Sequence, residues 1–261
     1  PPGLKRWYGG TTTLGGFLDY ALRYDGTNED EVFDYMKSSM ALALDEHCDQ
    51  FMFGILSQAE HALIANGSSS VLREYLEDIV DGEGGPEARL RSGRRLELPA
   101  GAWVINCSGY ILREPIPYEP YLSEHGTTVS VQPTSGIHFL TTFGSYFLAH
   151  LFYLDLLDKL PLYELDFQDL IHKSKKSMAL TSMTLTLYNM GLIVEVVPQK
   201  VMLQCGLDFD RWYPMYRRLL AVSKLRRDRL TKRAHFKATL DRIRERYDVR
   251  LGQLPHLKVT V

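Results

Sequence analysis

The sequence predicts a helix-dominated α/β protein. Short β-favouring apolar runs that end in small or polar residues lie between about 93 and 143, and the last of them leads through a turn into a helix. From 161 onward the pattern is helical. We expect a helical arm and connector at 1–92, a strand cluster with one helix at 93–160, and a helical region at 161–261.

Composition sets limits on the protein class. The 261 residues are 45% hydrophobic and 24% charged, enough to bury a sizeable core, and the net charge of -2 gives no overall attraction for nucleic acid. The most apolar window, 137–157, contains His138, His150 and Asp155, which favours a buried helix over a membrane span. We therefore expect neither a nucleic-acid nor a membrane partner.

Cysteine usage indicates a reducing compartment. Cys48, Cys107 and Cys205 are far apart and form no C-x-x-C pair, so the sequence predicts neither a disulfide framework nor a zinc site. We expect a cytoplasmic location.

The N-terminal arm holds two patterns that allow a functional interpretation. Gly9–Gly16 could hold a phosphate through backbone N–H groups, but no strand precedes it and an ordinary loop is favoured. A helix from Glu29 to about Ala65, broken near Gly54, contains the acidic, His- and Cys-bearing run 45–49, which we interpret as a solvated face rather than a metal cluster. A short amphipathic helix is predicted over Val71–Val80.

A first strand motif follows. Leu96 and Leu98 alternate with charged residues, as in a half-buried strand, and a turn comes next. Trp103–Ile105 is an apolar run that predicts a strand buried on both faces, ending at the small and polar residues Asn106–Gly109.

A second motif repeats this order. The break Pro133–Gly136 precedes an apolar strand predicted over Ile137–Leu140, and a helix apolar on nearly all sides is predicted from Thr141 to about Leu157. Gly144 and the start of this helix would offer free N–H groups to a phosphate or to the polar tail of a flavin.

Between the motifs, Arg113–Tyr121 carries three prolines and predicts an extended loop that either covers a flavin or substrate or acts as a rigid connector. His125, His138 and His150 are candidates for proton transfer, but none has a dyad partner at a defining spacing. The sequence therefore predicts no catalytic residue.

The C-terminal part predicts successive helices. Asp166 should cap a helix over Phe167–Ser177, and Met178–Val197 should be a core helix that ends before Pro198. After Pro214, a further helix contains the basic run Lys224–Arg233. Because apolar and acidic residues interleave with the basic ones, a solvated amphipathic helix is favoured over a nucleic-acid reader.

The two strand motifs carry a family resemblance. Residues 91–110 (RSGRRLELPAGAWVINCSGY) and 135–150 (SGIHFLTTFGSYFLAH) resemble the crossover and closing flavin motifs of oxidoreductases with two dinucleotide-binding domains, including flavin monooxygenases and amino-acid N-hydroxylases. The resemblance implies a partial Rossmann-like fold that binds FAD and NAD(P)H. It also implies crossover residues at Ser108 and Gly109 and a flavin-side turn at Gly144 and Ser145.

Two functions follow from these patterns. No G-x-G-x-x-G follows a strand, so we expect the C-terminal portion of an FAD-dependent, NAD(P)H-linked oxidoreductase, with a monooxygenase as one form, acting on a small-molecule substrate. The alternative is a noncatalytic helical interaction protein that retains a remnant of the flavoprotein fold. The sequence leaves the oligomeric state open.

Overall fold

The structure is a computed structural model that describes residues 7–40, 42, 44, 57–105, 116–206 and 208–255. They form two compact units, one of residues 57–105 and a larger one of residues 7–40 with those from 116 onward. The protein is α/β and helix-rich with small antiparallel sheets, which confirms the coarser fold class. Since the strand pairs formed by these residues are all antiparallel, whereas a Rossmann fold uses parallel strands, the Rossmann-like half is not confirmed.

The smaller unit contains one helix and a three-stranded meander. Ser57 and Glu60 form a capping box at the start of α3 (Gln58–Gly67). The strands β1 (Leu76–Gly82), β2 (Gly85–Leu90) and β3 (Arg95–Glu97) pair in that order.

Two predictions in this unit are wrong and one is confirmed. Leu96 lies in β3, as its alternation predicted. The helix predicted over Val71–Val80 is instead partly β1, because Leu76–Gly82 finds hydrogen-bonding partners in β2. The predicted buried strand Trp103–Ile105 has no regular structure, and Trp103 is 92% exposed.

The larger unit is built around α6 (Lys175–Val196), which Ser174 caps. Four helices pack against it: α1 (Thr13–Arg23), α2 (Glu29–Met40), α5 (Phe167–Lys173) and α8 (Met215–Tyr247). By length and composition α6 could cross a membrane, but 89% of its apolar window is buried inside the protein, as in a core helix. The predicted core helix before Pro198 and the helix after Pro214 are thus confirmed.

The remaining elements complete this unit. They are α4 (Thr141–Tyr153), a 3₁₀ turn (Leu157–Lys159), α7 (Gln199–Gln204), and the antiparallel pair β4 (Tyr163–Leu165) and β5 (Leu251–Gln253). The predicted helix from Thr141 is confirmed as far as Tyr153. Its predicted burial on nearly all sides is wrong, because Tyr153 is 87% exposed and only the face with Phe147, Leu148 and Leu151 is buried.

The segment 137–140 does not form the predicted strand, because side chains of α6 form hydrogen bonds with its backbone groups. The Thr186 hydroxyl accepts a hydrogen bond from the Phe139 N–H at 2.9 Å, and the Asn189 amide donates to the Ile137 carbonyl at 2.7 Å. Just before the segment, Gly136 bridges to Leu165 of β4. Side chains of α6 therefore make the hydrogen bonds that neighbouring strands would make in a sheet.

The two halves of α8 differ in their surroundings. Phe236, Leu240 and Ile243 are buried, which confirms part of the predicted apolar face. In the same half, Arg246 makes a bidentate ion pair with Glu29 of α2 at 2.6 and 2.7 Å. The first half, by contrast, exposes several apolar side chains, among them Leu219 and Leu220.

Candidate functional site

The N-terminus of α4 is an open helix end. Its N-cap residue, Leu140, provides no side-chain hydrogen bond, and the Leu140 carbonyl accepts from the Phe143 and Gly144 amides at 3.1 and 3.0 Å. Thr141 and Thr142, the first two helical residues, are exposed, and amides at these positions have no intrahelical acceptor. The end of α4 therefore presents N–H groups and the positive end of the helix dipole to an anion.

A buried histidine lies beside this helix end. The His138 Nδ1 accepts a hydrogen bond from the Leu140 N–H at 3.0 Å, so the ring sits at the N-cap. Burial lowers the pKa of His138 to about 4, which makes the ring neutral at pH 7. Because Nδ1 is the acceptor, we assign the proton to Nε2. Nε2 is buried without a hydrogen-bond partner in the described part of the chain, and leaving such a donor unpaired is unfavourable.

The structure places two of the four predicted cofactor residues. Gly144 lies within the first turn of α4 rather than in a turn before it, and a Cβ there would contact the Cβ of His138 at 3.5 Å. This is an ordinary van der Waals distance, so the approach of the helix to His138 does not require a glycine at 144. Ser145 is exposed and its hydroxyl donates to the Thr141 carbonyl at 2.9 Å. Ser108 and Gly109 lie outside the described residues.

The start of α1 resolves the two interpretations of Gly9–Gly16. Thr12 caps α1 by accepting a hydrogen bond from the Gly15 N–H at 3.1 Å. The next free amide, Leu14 N–H, donates to a carboxylate oxygen of Asp210 at 3.1 Å. Because a protein carboxylate already occupies this helix end, the segment behaves as a capped loop and not as a phosphate cradle.

A buried carboxyl group lies under the proline-rich segment. Glu164 of β4 is 4% exposed, and burial raises its pKa to about 7 although the positive charge of Arg250 partly offsets this. Tyr118 donates to Glu164 Oε1 at 3.4 Å, and the Arg250 guanidinium lies 3.6 Å from the centroid of the Tyr118 ring. The described part of this segment therefore covers Glu164.

The other candidates remain separate. His150 bonds to the Tyr146 carbonyl at 2.8 Å on its own helix, and His125 lies in an exposed turn. Cys205 is a free thiol that donates to the Met202 carbonyl at 3.0 Å. Cys48, Cys107 and the run 45–49 lie outside the described residues, among which no group of His, Cys, Asp or Glu could hold a metal ion.

Comparisons of the chain with protein-family models, curated proteins and solved structures found no match. Of the sites described, the N-terminus of α4 offers backbone N–H groups, and the first turn of the helix contains no acidic residue, a combination suited to a phosphate.

Proposed function

We propose that the chain binds FAD at the N-terminus of α4, as part of an FAD-dependent, NAD(P)H-linked oxidoreductase. The observation that supports this best is the start of α4, where no side chain caps the helix and Thr141 and Thr142 are exposed. This helix end lies in the segment that resembles the closing flavin motif. Its donors and its dipole suit the pyrophosphate of a dinucleotide.

In this proposal the protein binds and orients the cofactor. The amides of Thr141 and Thr142 would donate to phosphate oxygens, and the buried His138 ring would hold the residue before the helix in place through its Nδ1. Gly144 and Ser145 keep the flavin-side position that the resemblance implies. Ser108 and Gly109 keep their expected role at the crossover, and FAD supplies the redox chemistry with NAD(P)H as hydride donor.

The change Thr141→Pro tests the proposal by removing one amide donor. Proline is tolerated at the first position of a helix, and Leu140 already has the extended backbone, φ -98° and ψ 108°, that a residue before proline prefers. A hydrogen bond to a charged group contributes about 1.5–3 kcal/mol, so FAD should bind roughly 10 to 100 times more weakly. Quenching of FAD fluorescence measures the affinity, and visible flavin bands of the purified chain give the stoichiometry.

Gln58→Pro is the matched control, since Gln58 occupies the same first position in α3 of the other unit. It should leave FAD binding unchanged. Equal weakening by both prolines would show that the effect is not local, and a chain that neither shows flavin bands nor quenches FAD would contradict the proposal.

A noncatalytic interaction protein is the second candidate function. The observation that favours it is the exposed first half of α8, where Leu219 and Leu220 are 60% and 66% exposed within a strongly basic stretch. Apolar side chains grouped in this way mark binding surfaces. If FAD fails to bind, this surface becomes the leading site.

A further inference from the structure

A groove runs between the start of α1 and the first turns of α8, within the larger unit. Its volume is about 490 Å³, in the range of small-molecule pockets. Leu14 and Leu18 of α1 form one wall, and Tyr216, Leu220 and Leu225 of α8 form the other. From Tyr216 to Leu225 the groove follows α8 for about 15 Å, or nearly three helical turns.

The groove is held open by hydrogen bonds from α8 to the segment before α1. The Arg217 guanidinium donates to the carbonyls of Gly9 and Gly10, at 2.8 Å for Gly9, and Tyr216 donates to the Trp7 carbonyl. Tyr213 donates to the Thr11 carbonyl at 3.4 Å. Because these contacts lie within one unit, an occupant would find the walls already in place.

The groove and its edge expose large apolar side chains. Tyr8 is 83% exposed, Trp7 53% and Leu220 66%, and all three line the groove. A group of aromatic and aliphatic side chains of this size is unusual on a surface that faces only water. Their burial would drive association with an apolar partner surface.

The lining of the groove is positively charged, because Arg217 and Lys224 belong to it and, among the described residues that line it, there is no Asp or Glu. Residues 211–233 contain nine basic residues and a single acidic one, Asp228. Some cations in this stretch are paired, such as Arg218 with Asp208 and Arg233 with Glu195. Lys224 is exposed, and within the described chain no carboxylate forms an ion pair with it. This positive rim would attract an anionic partner.

We propose that this groove binds an acidic amphipathic helix of another protein. An apolar floor about three turns long with a basic rim suits a helix that has apolar residues at i, i+4 and i+7 and carboxylates on its flanks. Nucleic acid fits less well, because its phosphates would meet the rim while the leucine walls stayed without apolar contact. The site is separate from the N-terminus of α4, so the proposal stands whether or not the chain binds FAD.

The test uses a fluorescent synthetic helix with leucines at i, i+4, i+7 and i+11 and glutamates elsewhere, titrated with the full chain. The same helix with lysines in place of glutamates is the charge control. We expect saturable binding of the glutamate helix, weaker binding as salt rises, and no binding of the lysine helix. Leu220→Glu should weaken binding at least about tenfold, because it puts a carboxylate on the apolar wall and next to Lys224.

Leu63→Glu is the matched control, because Leu63 is 75% exposed on α3 of the other unit and should leave binding unchanged. Both leucines are exposed, so neither variant should unfold, which circular dichroism can verify. Equal binding of both synthetic helices, or no binding of the glutamate helix, would overturn the proposal. So would tighter binding of a single-stranded oligonucleotide or of phosphatidylserine vesicles that Leu220→Glu abolishes.

Discussion

Replacing Asn189 with leucine should strongly destabilise the larger unit. This side chain of α6 is 1% exposed and makes three hydrogen bonds to backbone groups: its amide donates to the carbonyls of Ile137 and Tyr163 at 2.7 and 2.8 Å, and its oxygen accepts from the Tyr163 N–H at 2.9 Å. Leucine has a similar size but would leave all three groups buried without partners. Each such group costs about 1–3 kcal/mol, and with partial relaxation we expect a loss of about 3–5 kcal/mol.

The assay is urea unfolding followed by helical circular dichroism, with the free energy of unfolding taken from the midpoint and the slope. Small domains have total stabilities of about 5–15 kcal/mol, so a loss of this size would move the midpoint clearly. Asn66→Leu, at an exposed site near the end of α3, is the control and should change the free energy by less than about 0.5 kcal/mol. A loss below about 1 kcal/mol in Asn189→Leu would refute the role of this residue in holding the segment 137–140 and β4.

Two further predictions concern the region around β4. Gly136→Ala should destabilise the chain by about 1–3 kcal/mol, since the new Cβ would overlap the Phe167 ring; adding Phe167→Leu should restore part of this loss in the same urea assay, and full tolerance of Gly136→Ala would contradict the packing. The pKa of Glu164 is raised to about 7, so between about pH 4.3 and pH 7 the folded chain keeps a proton that the unfolded chain has lost, and the free energy of unfolding should fall as pH rises. Glu164→Gln is the reference, and relative to it the fall should be on the order of 2 kcal/mol. His138, whose pKa is lowered to about 4, gives the opposite pH dependence, but it does so in both proteins and therefore cancels in the comparison. If the difference in free energy of unfolding between the two proteins stays constant across this range, the burial of the carboxyl is contradicted.

The helices were predictable because local signals and tertiary packing agree there. Asp166 and Ser174 cap α5 and α6, which follow them directly. Pro198 follows the end of α6, and Pro214 precedes the start of α8. The apolar stretch from Met178 then had length enough to be a core helix.

The strands were harder to predict because their pairing depends on distant partners. Leu72, Leu76 and Ile79 follow a helical spacing, yet the residues from Leu76 pair with β2 across the Glu83-Gly84 turn. The run Ile137–Leu140 has the composition of a strand, but its backbone groups form hydrogen bonds with polar side chains of α6. Apolar runs this short cannot be assigned by periodicity alone.

The candidate site was partly predictable. The second motif located the helix start near Gly144, and the structure has α4 begin at Thr141. That His138 would be buried with an unpaired nitrogen could not be predicted, since it depends on how the segment 137–140 packs against α4 and α6. The sequence analysis also did not predict the burial of Glu164 or the groove along α8. Each depends on residues that are far apart in the sequence.

The most direct test of the central proposal compares FAD with riboflavin, which has the same ring system but no phosphate, by fluorescence quenching against the purified chain. If the N-terminus of α4 binds the pyrophosphate, FAD should bind with one-to-one stoichiometry and at least about tenfold more tightly than riboflavin, with the difference shrinking in Thr141→Pro. Equal affinities for the two ligands, or no quenching of either, would contradict the account.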